Sequence, residues 1–328
     1  MASINLDLIH LTENMVLVLK SEGKSPRTTT WYRDNLLRFA NYLSERQHSL
    51  NIADIAVADA RDFIRYLQTG VVKWQGRPNQ QETPLSAFTV HGYVRTIKAF
   101  WSWLVREGYI EHNIMTAVRP PKVPYKVVKT FSTEQIEHLL STPDRSNARG
   151  FRQYLIILVL LDTGIRLSEF VDLTLEQMDI KQSYFRIMGK GSKERIAPFG
   201  GQVGKALLKY VTKYRPEPVT PRVTQLLLTE GGYPMKKRDI QSIVTRLGKQ
   251  AGIDNVRCSP HTCRHTFARQ FLMNGGNIFA LQQLLGHNSL QVVRMYVNLV
   301  EGDISEQHRK YSPVDNWVVE MRGRLPRS

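Results

Sequence analysis

The sequence predicts an all-α N-terminal unit of four helices, followed by a mixed α+β C-terminal domain, mostly helical with a small antiparallel sheet. Three observations lead there. The chain has 328 residues, about twice a common domain length of roughly 150. The stretch Arg119-Pro120-Pro121-Lys122-Val123-Pro124-Tyr125-Lys126 interrupts it. Its prolines remove backbone donors and oppose helix, so a linker is expected there. Before that stretch apolar residues recur at helical spacing; after it, helical runs alternate with short β-type runs.

The N-terminal elements follow in order. Leu8, Leu11, Met15, Val18 and Leu19 mark a first helix stopped by Gly23. Ser25-Pro26 reads as an N-cap followed by proline at the first helical position. Tyr32, Leu36, Phe39, Ala40 and Leu43 are the apolar stripe of that second helix. Ala60, Phe63, Ile64 and Leu67 predict a third helix. Val90, Tyr93, Val94, Ile97, Trp101 and Leu104 predict a fourth, ending near Gly108. Between these last two, VVKWQGRPNQQETP is polar and rich in turn formers, so an exposed loop is expected.

After the linker, Ser132 to Gln135 fits a capping box ahead of Ile136, Leu139 and Leu140. Phe151 to Leu161 is apolar nearly all round, as in a helix buried inside a domain. Ser183–Met188 and Arg195–Phe199 read as two strands joined by GKGSKE, with Leu226-Leu227-Leu228 as a candidate third. Further helices are expected at Asp239–Gln250, His261–Asn274, Ile278–Leu285 and Leu290–Val300. The implied boundaries are 1–118, a linker at 119–129, and 130–328 with a C-terminal tail from about residue 302.

Composition narrows the function. Lys+Arg 45 against Asp+Glu 29 gives +16, a field that favours a polyanion such as nucleic acid. Cys258 and Cys263 are the only cysteines, too few for a disulfide framework. MASINLDLIH lacks the basic and apolar blocks of a signal peptide. The aliphatic run Leu155 to Leu161 is far short of the ~18 residues of a membrane span. A cytoplasmic, nucleic-acid-associated protein is expected.

Several features could carry chemistry. In Thr163-Gly164-Ile165-Arg166-Leu167-Ser168-Glu169 a turn leads into a helix opened by Arg166. Its guanidinium fork suits a phosphate, and Glu169, three residues on, could hold it; a purely structural Arg–Glu pair is the alternative. Lys190 and Lys193 lie in GKGSK. The phosphate-binding loop needs a glycine where Tyr184 stands, which rejects a nucleotide site. A solvated lysine or a proton donor in a DNA groove both remain open. In Ser259-Pro260-His261-Thr262-Cys263-Arg264-His265, His261 and Arg264 share a helix face and could reach one phosphate. Cys258, His261, Cys263 and His265 match no common zinc spacing. His287 in Leu285-Gly286-His287-Asn288-Ser289 falls at a helix junction, as a structural histidine also could. Tyr296 sits among valines as a core tyrosine would, yet nearby cations would favour its phenolate. No carboxylate cluster of a two-metal nuclease and no clear nucleotide loop is visible. No metal or other cofactor is expected.

The ordered set TGIRLSE, GKGSKER, HTCRH, LGHNS and Tyr296, nine residues after His287, resembles the tyrosine recombinases, the family of phage integrases, Cre-like and Xer-type enzymes. The helical N-terminal unit also resembles that family's core-binding, SAM-like domain. The resemblance implies roles residue by residue. Arg166 and Arg264 would clamp the scissile phosphate, and Lys190, with Lys193 as a weaker candidate, would protonate the leaving 5′ oxygen. His261 would lie near nucleophile and phosphate, and His287 would donate to a non-bridging oxygen. Tyr296 would be the nucleophile, and Glu169 would support the first arginine. Lys236, Lys237 and Arg238 are further candidate DNA contacts, with solvated charges as the alternative.

The expected function is site-specific recombination of double-stranded DNA through a 3′-phosphotyrosine intermediate, without metal or ATP, in integration, excision or resolution. The resemblance further implies a homotetramer on paired inverted-repeat core sites. The tail carrying Tyr311, Trp317, Val318 and Met321 would dock on a neighbouring protomer, and accessory proteins are possible. A mobile-element enzyme of a prokaryotic, nucleoid-associated kind fits best. The rivals are a type IB topoisomerase and a catalytically inactive DNA-binding or architectural factor.

Overall fold

A computed structural model describes residues 6–69, 71–73, 81–123, 128–188 and 194–286, with residues 308, 312 and 314. The chain divides into two compact units, residues 1–126 and 127–328. The linker expected at 119–129 falls around this division. Arg119 to Val123 has no regular secondary structure.

The first unit is built from α1 (Leu8–Ser21), α2 (Pro26–Ser44), α3 (Val57–Thr69) and α4 (Ala87–Arg106). Local chemistry sets their ends. Ser25 caps α2, its hydroxyl accepting from the Thr28 amide, and Pro26 holds the first helical position where no donor is needed. Asp7 and Ser86 cap α1 and α4 in the same way. Past α1 and α4 the chain turns at Gly23 and Gly108, both at positive φ, where a side chain would be strained. Leu11, Leu36, Phe39, Phe63, Val90, Phe100 and Trp101 fill the shared core and are almost wholly excluded from solvent.

One expectation for this unit is corrected by the structure. The segment VVKWQGRPNQQETP is not simply a loop. Val71–Lys73 (β1) and Gln81–Thr83 (β2) pair antiparallel, Val71 opposite Thr83. Three-residue strands are too short for their period-two pattern to stand out. A 3₁₀ turn at Ile114–Ala117, which Asn113 caps, follows α4.

The second unit contains α5 (Thr133–Ser141), α6 (Ala148–Thr163) and α7 (Leu167–Asp172). After them comes a sheet of β3 (Met178–Asp179), β4 (Tyr184–Met188) and β5 (Glu194–Pro198). Helices α8 (Gly201–Lys209), α9 (Lys237–Gln250), α10 (Pro260–Met273) and α11 (Ile278–Leu285) follow. The Ser132–Gln135 capping box forms, each residue's side chain accepting from the other's backbone amide. Helix α6 is buried along most of its length, as its all-round apolar character requires, and packs on α10, α8 and α5.

The sheet order is β3-β4-β5, all antiparallel. Leu226-Leu227-Leu228 is buried but is not its third strand; Met178–Asp179 is. The leucine segment makes only isolated bridges, Thr174 to Gln225 and Leu228 to Pro234. Pro234 has no amide to extend a ladder. Helix α8 was missed because Gly200, Gly201 and Gly204 mask its pattern. A single π turn, Tyr210–Tyr214, continues it. The helix expected at Leu290–Val300 and the tail residues Tyr311, Trp317, Val318 and Met321 lie outside the described residues.

Candidate active site

Four segments of the second unit converge: the α6–α7 turn, strand β5, helix α10 and the C-terminal end of α11. The turn begins at Thr163, whose hydroxyl donates to the Val159 carbonyl and accepts from the Ile165 amide. Gly164 follows at φ +57°, and a Cβ there would collide with the Phe267 ring. Arg166 then caps α7. Glu169 binds it twice, Oε2 accepting from the Arg166 amide at 2.9 Å and Oε1 from Nη1 at 2.9 Å.

Helix α10 starts at Ser259, whose hydroxyl accepts from the Thr262 amide, with Pro260 at the first turn. Arg264, one turn in, is 4% exposed. Its Nη1 donates to the Gly164 carbonyl at 2.6 Å and its Nη2 to the Leu285 carbonyl at 2.7 Å. A buried guanidinium needs such acceptors to offset the loss of water.

Helix α11 ends at Gly286 in the left-handed conformation, φ +61°. Its last carbonyls lack helical donors and carry the negative end of the helix dipole. Three arginines from three elements take three consecutive ones. Arg195 Nη1 donates to Leu284 at 2.7 Å, Arg264 Nη2 to Leu285 at 2.7 Å, and Arg166 Nη2 to Gly286 at 2.6 Å. Arg166 and Arg264 are 98 residues apart in sequence (264 − 166), yet they meet on adjacent peptide units. His287 follows Gly286 directly in the chain.

His261 lies on α10 three residues before Arg264 and is solvent-accessible, its ring edge-on to His265 at 4.5 Å between centroids. Partial burial, and then the Arg264 charge, hold its pKa below the ordinary histidine value. This favours the neutral ring. Cys263 is fully buried and burial pushes its thiol up to about 12; Cys258 is raised by burial too.

The structure thus brings Arg166, Glu169 and Arg264 together, with His261 on the same helix as Arg264. Lys236, Lys237 and Arg238 are exposed at the start of α9. Lys190, Lys193, His287 and Tyr296 lie outside the described residues. Arg195 was missed as a site residue although GKGSKER was singled out. A signal for it existed: on β5 it shares a face with buried Ala197, so a charged residue occupies an inward-facing strand position.

The chain matches the phage integrase family over residues 129–302, and the phage integrase SAM-like domain over residues 7–120. The first match alone covers more than half of the sequence. The chain belongs to the phage integrase family. It is a tyrosine recombinase, one of a group of enzymes that cleave and rejoin DNA. Tyrosine recombinase XerD of Staphylococcus aureus is 28% identical over 304 residues, covering 92% of this chain and 98% of the relative. XerD of Staphylococcus haemolyticus has the same identity and coverage. In fold, this integrase-family chain is similar to the Tn1549 transposon integrase in complex with transposon right end DNA. There the TM-score is 0.71 at 20% identity, covering 93% of this chain and 99% of that one. A lambda integrase dimer bound to a core site gives a TM-score of 0.69 at 15% identity, covering 90% and 97%. Among the described residues no helix is long and apolar enough to cross a membrane.

Proposed function

We propose that this recombinase acts at a defined duplex site through Tyr296, with Arg166, Arg264, Lys190, His261 and His287 as its catalytic side chains. The observation that carries the reading is the meeting of Arg166 and Arg264 at the end of α11, one residue before His287.

The chemistry follows from charge. The Tyr296 oxygen attacks phosphorus and the P–O5′ bond breaks, leaving a 3′-phosphotyrosine and a free 5′ hydroxyl. Negative charge grows on the non-bridging oxygens as this happens. A guanidinium fork offers paired donors in the geometry that a phosphate accepts. Each donor aimed at developing charge contributes about 3 kcal/mol to the transition state. Lys190 protonates the departing 5′ oxygen, a step worth ~10²–10⁴-fold. His261, held toward its neutral form, accepts the Tyr296 proton as the O–P bond forms, and His287 donates to a non-bridging oxygen. The phosphotyrosine keeps the bond energy, so a second 5′ hydroxyl can reverse the step without ATP.

Binding is driven mainly by the +16 charge, released counterions making it steeply salt-dependent. The exposed Lys236-Lys237-Arg238 cluster, with Lys193, adds backbone contacts. The partner is double-stranded DNA bearing an inverted-repeat core site. Four copies assemble on paired sites, the C-terminal tail of each docking on a neighbour. Its proposed role is integration or excision of a mobile element.

A suicide duplex nicked beside the cleavage point tests the reading, since the 5′ fragment diffuses away and the adduct accumulates. Wild type is expected to form the adduct, and Tyr296→Phe to form none. An adduct surviving that substitution moves the nucleophile elsewhere, and sequence-tolerant relaxation of supercoils points to a topoisomerase.

A further inference from the structure

Arg195 has no role in the reaction described so far, yet its placement is costly and specific. Its side chain is 13% exposed on β5, opposite Ile187 on the face that packs inward. Burial works against its charge, Glu169 supports it and the Arg166 guanidinium opposes it. The two ends of its fork go to different elements. Nη2 donates to Glu169 Oε2 at 2.6 Å and Nη1 to the Leu284 carbonyl at 2.7 Å. Glu169 is itself 8% exposed and is the carboxylate that holds Arg166. Leu284 lies two residues before Gly286, whose carbonyl takes the other end of Arg166. Each anchor of the Arg166 guanidinium is therefore braced by Arg195: Glu169 directly, and Gly286 through the same helix end.

We propose that Arg195 is a positioning residue for strand cleavage, fixing Glu169 and the end of α11 so that Arg166 is presented to the scissile phosphate. A lysine cannot substitute fully, because one ammonium cannot span both acceptors in the fixed fork geometry. The inference rests on the reading that Arg166 binds the phosphate, and the experiment separates the two.

The assay is single-turnover adduct formation on the suicide duplex, made either with an ordinary phosphodiester or with a methylphosphonate at the cleaved position. The methyl group removes one non-bridging charge, and with it much of the work of an arginine aimed there. On the phosphodiester, Arg195→Ala is expected to slow cleavage by ~10²-fold, as misplacement of a catalytic group does. DNA affinity should stay near wild type, and Arg195→Lys should fall between. Two results are specific to positioning. Adding Arg195→Ala to Arg166→Ala costs nothing further, and on the methylphosphonate each single variant approaches the wild-type rate on that substrate. Penalties that multiply in the double variant, or an Arg195→Ala defect that persists on the methylphosphonate, overturn the proposal. If Arg166→Ala cleaves the phosphodiester at the wild-type rate, the phosphate-binding reading itself fails and takes this inference with it. Should Arg195→Ala not fold, Arg195→Lys carries the same comparisons, since it keeps the charge beside Glu169.

Discussion

The Glu169 carboxylate bridges two arginines, Arg166 Nη1 at 2.9 Å on one oxygen and Arg195 Nη2 at 2.6 Å on the other. One buried negative charge thereby holds two positive ones, from α7 and β5, against the end of α11. Removing it leaves guanidinium groups facing each other without a counter-charge. Breaking a buried pair from one side typically costs ~3–5 kcal/mol. Arg166 retains some solvent, which places Glu169→Ala near about 3 kcal/mol. A urea titration of the C-terminal transition measures that loss. Glu169→Gln keeps the shape and one acceptor, so it should fold better while still slowing adduct formation by roughly 10-fold or more. Wild-type cleavage by both variants would contradict this account of the bridge.

Gly286 is predicted to tolerate no side chain. Its φ of +61° is the left-handed region, which costs an L-residue about 1–2 kcal/mol. A Cβ would also stand 2.8 Å from Arg195 Nε and 3.2 Å from Arg166 Nη1. Arg195 is tied at both ends of its fork and cannot yield cheaply. Gly286→Ala should lower the thermal midpoint and cut the cleavage rate together. A variant with normal stability and rate would show that the arginines move aside freely.

His261 has a depressed pKa, which gives a signed pH dependence. Above the ordinary histidine value of ~6.5 the residue is neutral in folded and unfolded protein alike. Below it, the unfolded chain binds a proton that the folded one resists, so stability falls with falling pH until the depressed folded value is passed. His261→Gln removes this contribution. Urea midpoints at pH 7 and pH 5 should therefore drop less for the variant than for wild type. An equal drop would remove His261 from the acid response.

The two cysteines are expected to be inert in the native protein. Cys263 is fully buried with its thiol pushed up to about 12, and Cys258 is buried beside Gly248. Thiolate is the reactive form. At pH 8 an alkylating reagent should label neither cysteine on the timescale at which it labels both in urea. Rapid native labelling would show local opening around α10.

Much of this was legible in the residues, wherever the determinant is local. Ser25-Pro26, the Ser132–Gln135 box and the glycine at α11's end are short-range signals, and the structure uses each as such. The Arg166–Glu169 pair is likewise local, three residues apart at a helix start. Arg195 is the contrasting case. Its acceptors lie 26 residues back at Glu169 and 89 residues on at Leu284, and no local spacing encodes such a contact. Strand parity could have flagged it, since Arg195 occupies the inward face with Ala197 while Arg186 and Glu194 pair at 3.0 Å on the outer one. The β1–β2 pairing and α8 escaped for a different reason: three-residue strands and a glycine-bearing helix carry too little periodicity to read.

The most direct test is to find the atom that holds the DNA. The adduct trapped on the suicide duplex should be digested with trypsin and the DNA-bearing peptide sequenced by mass spectrometry. Cleavage after Arg294 and Arg309 places Tyr296 in a peptide running from Met295 to Arg309. The account predicts that this peptide carries the nucleotide on Tyr296. DNA linked to any other peptide, or no covalent adduct on a duplex that the protein binds specifically, would contradict it.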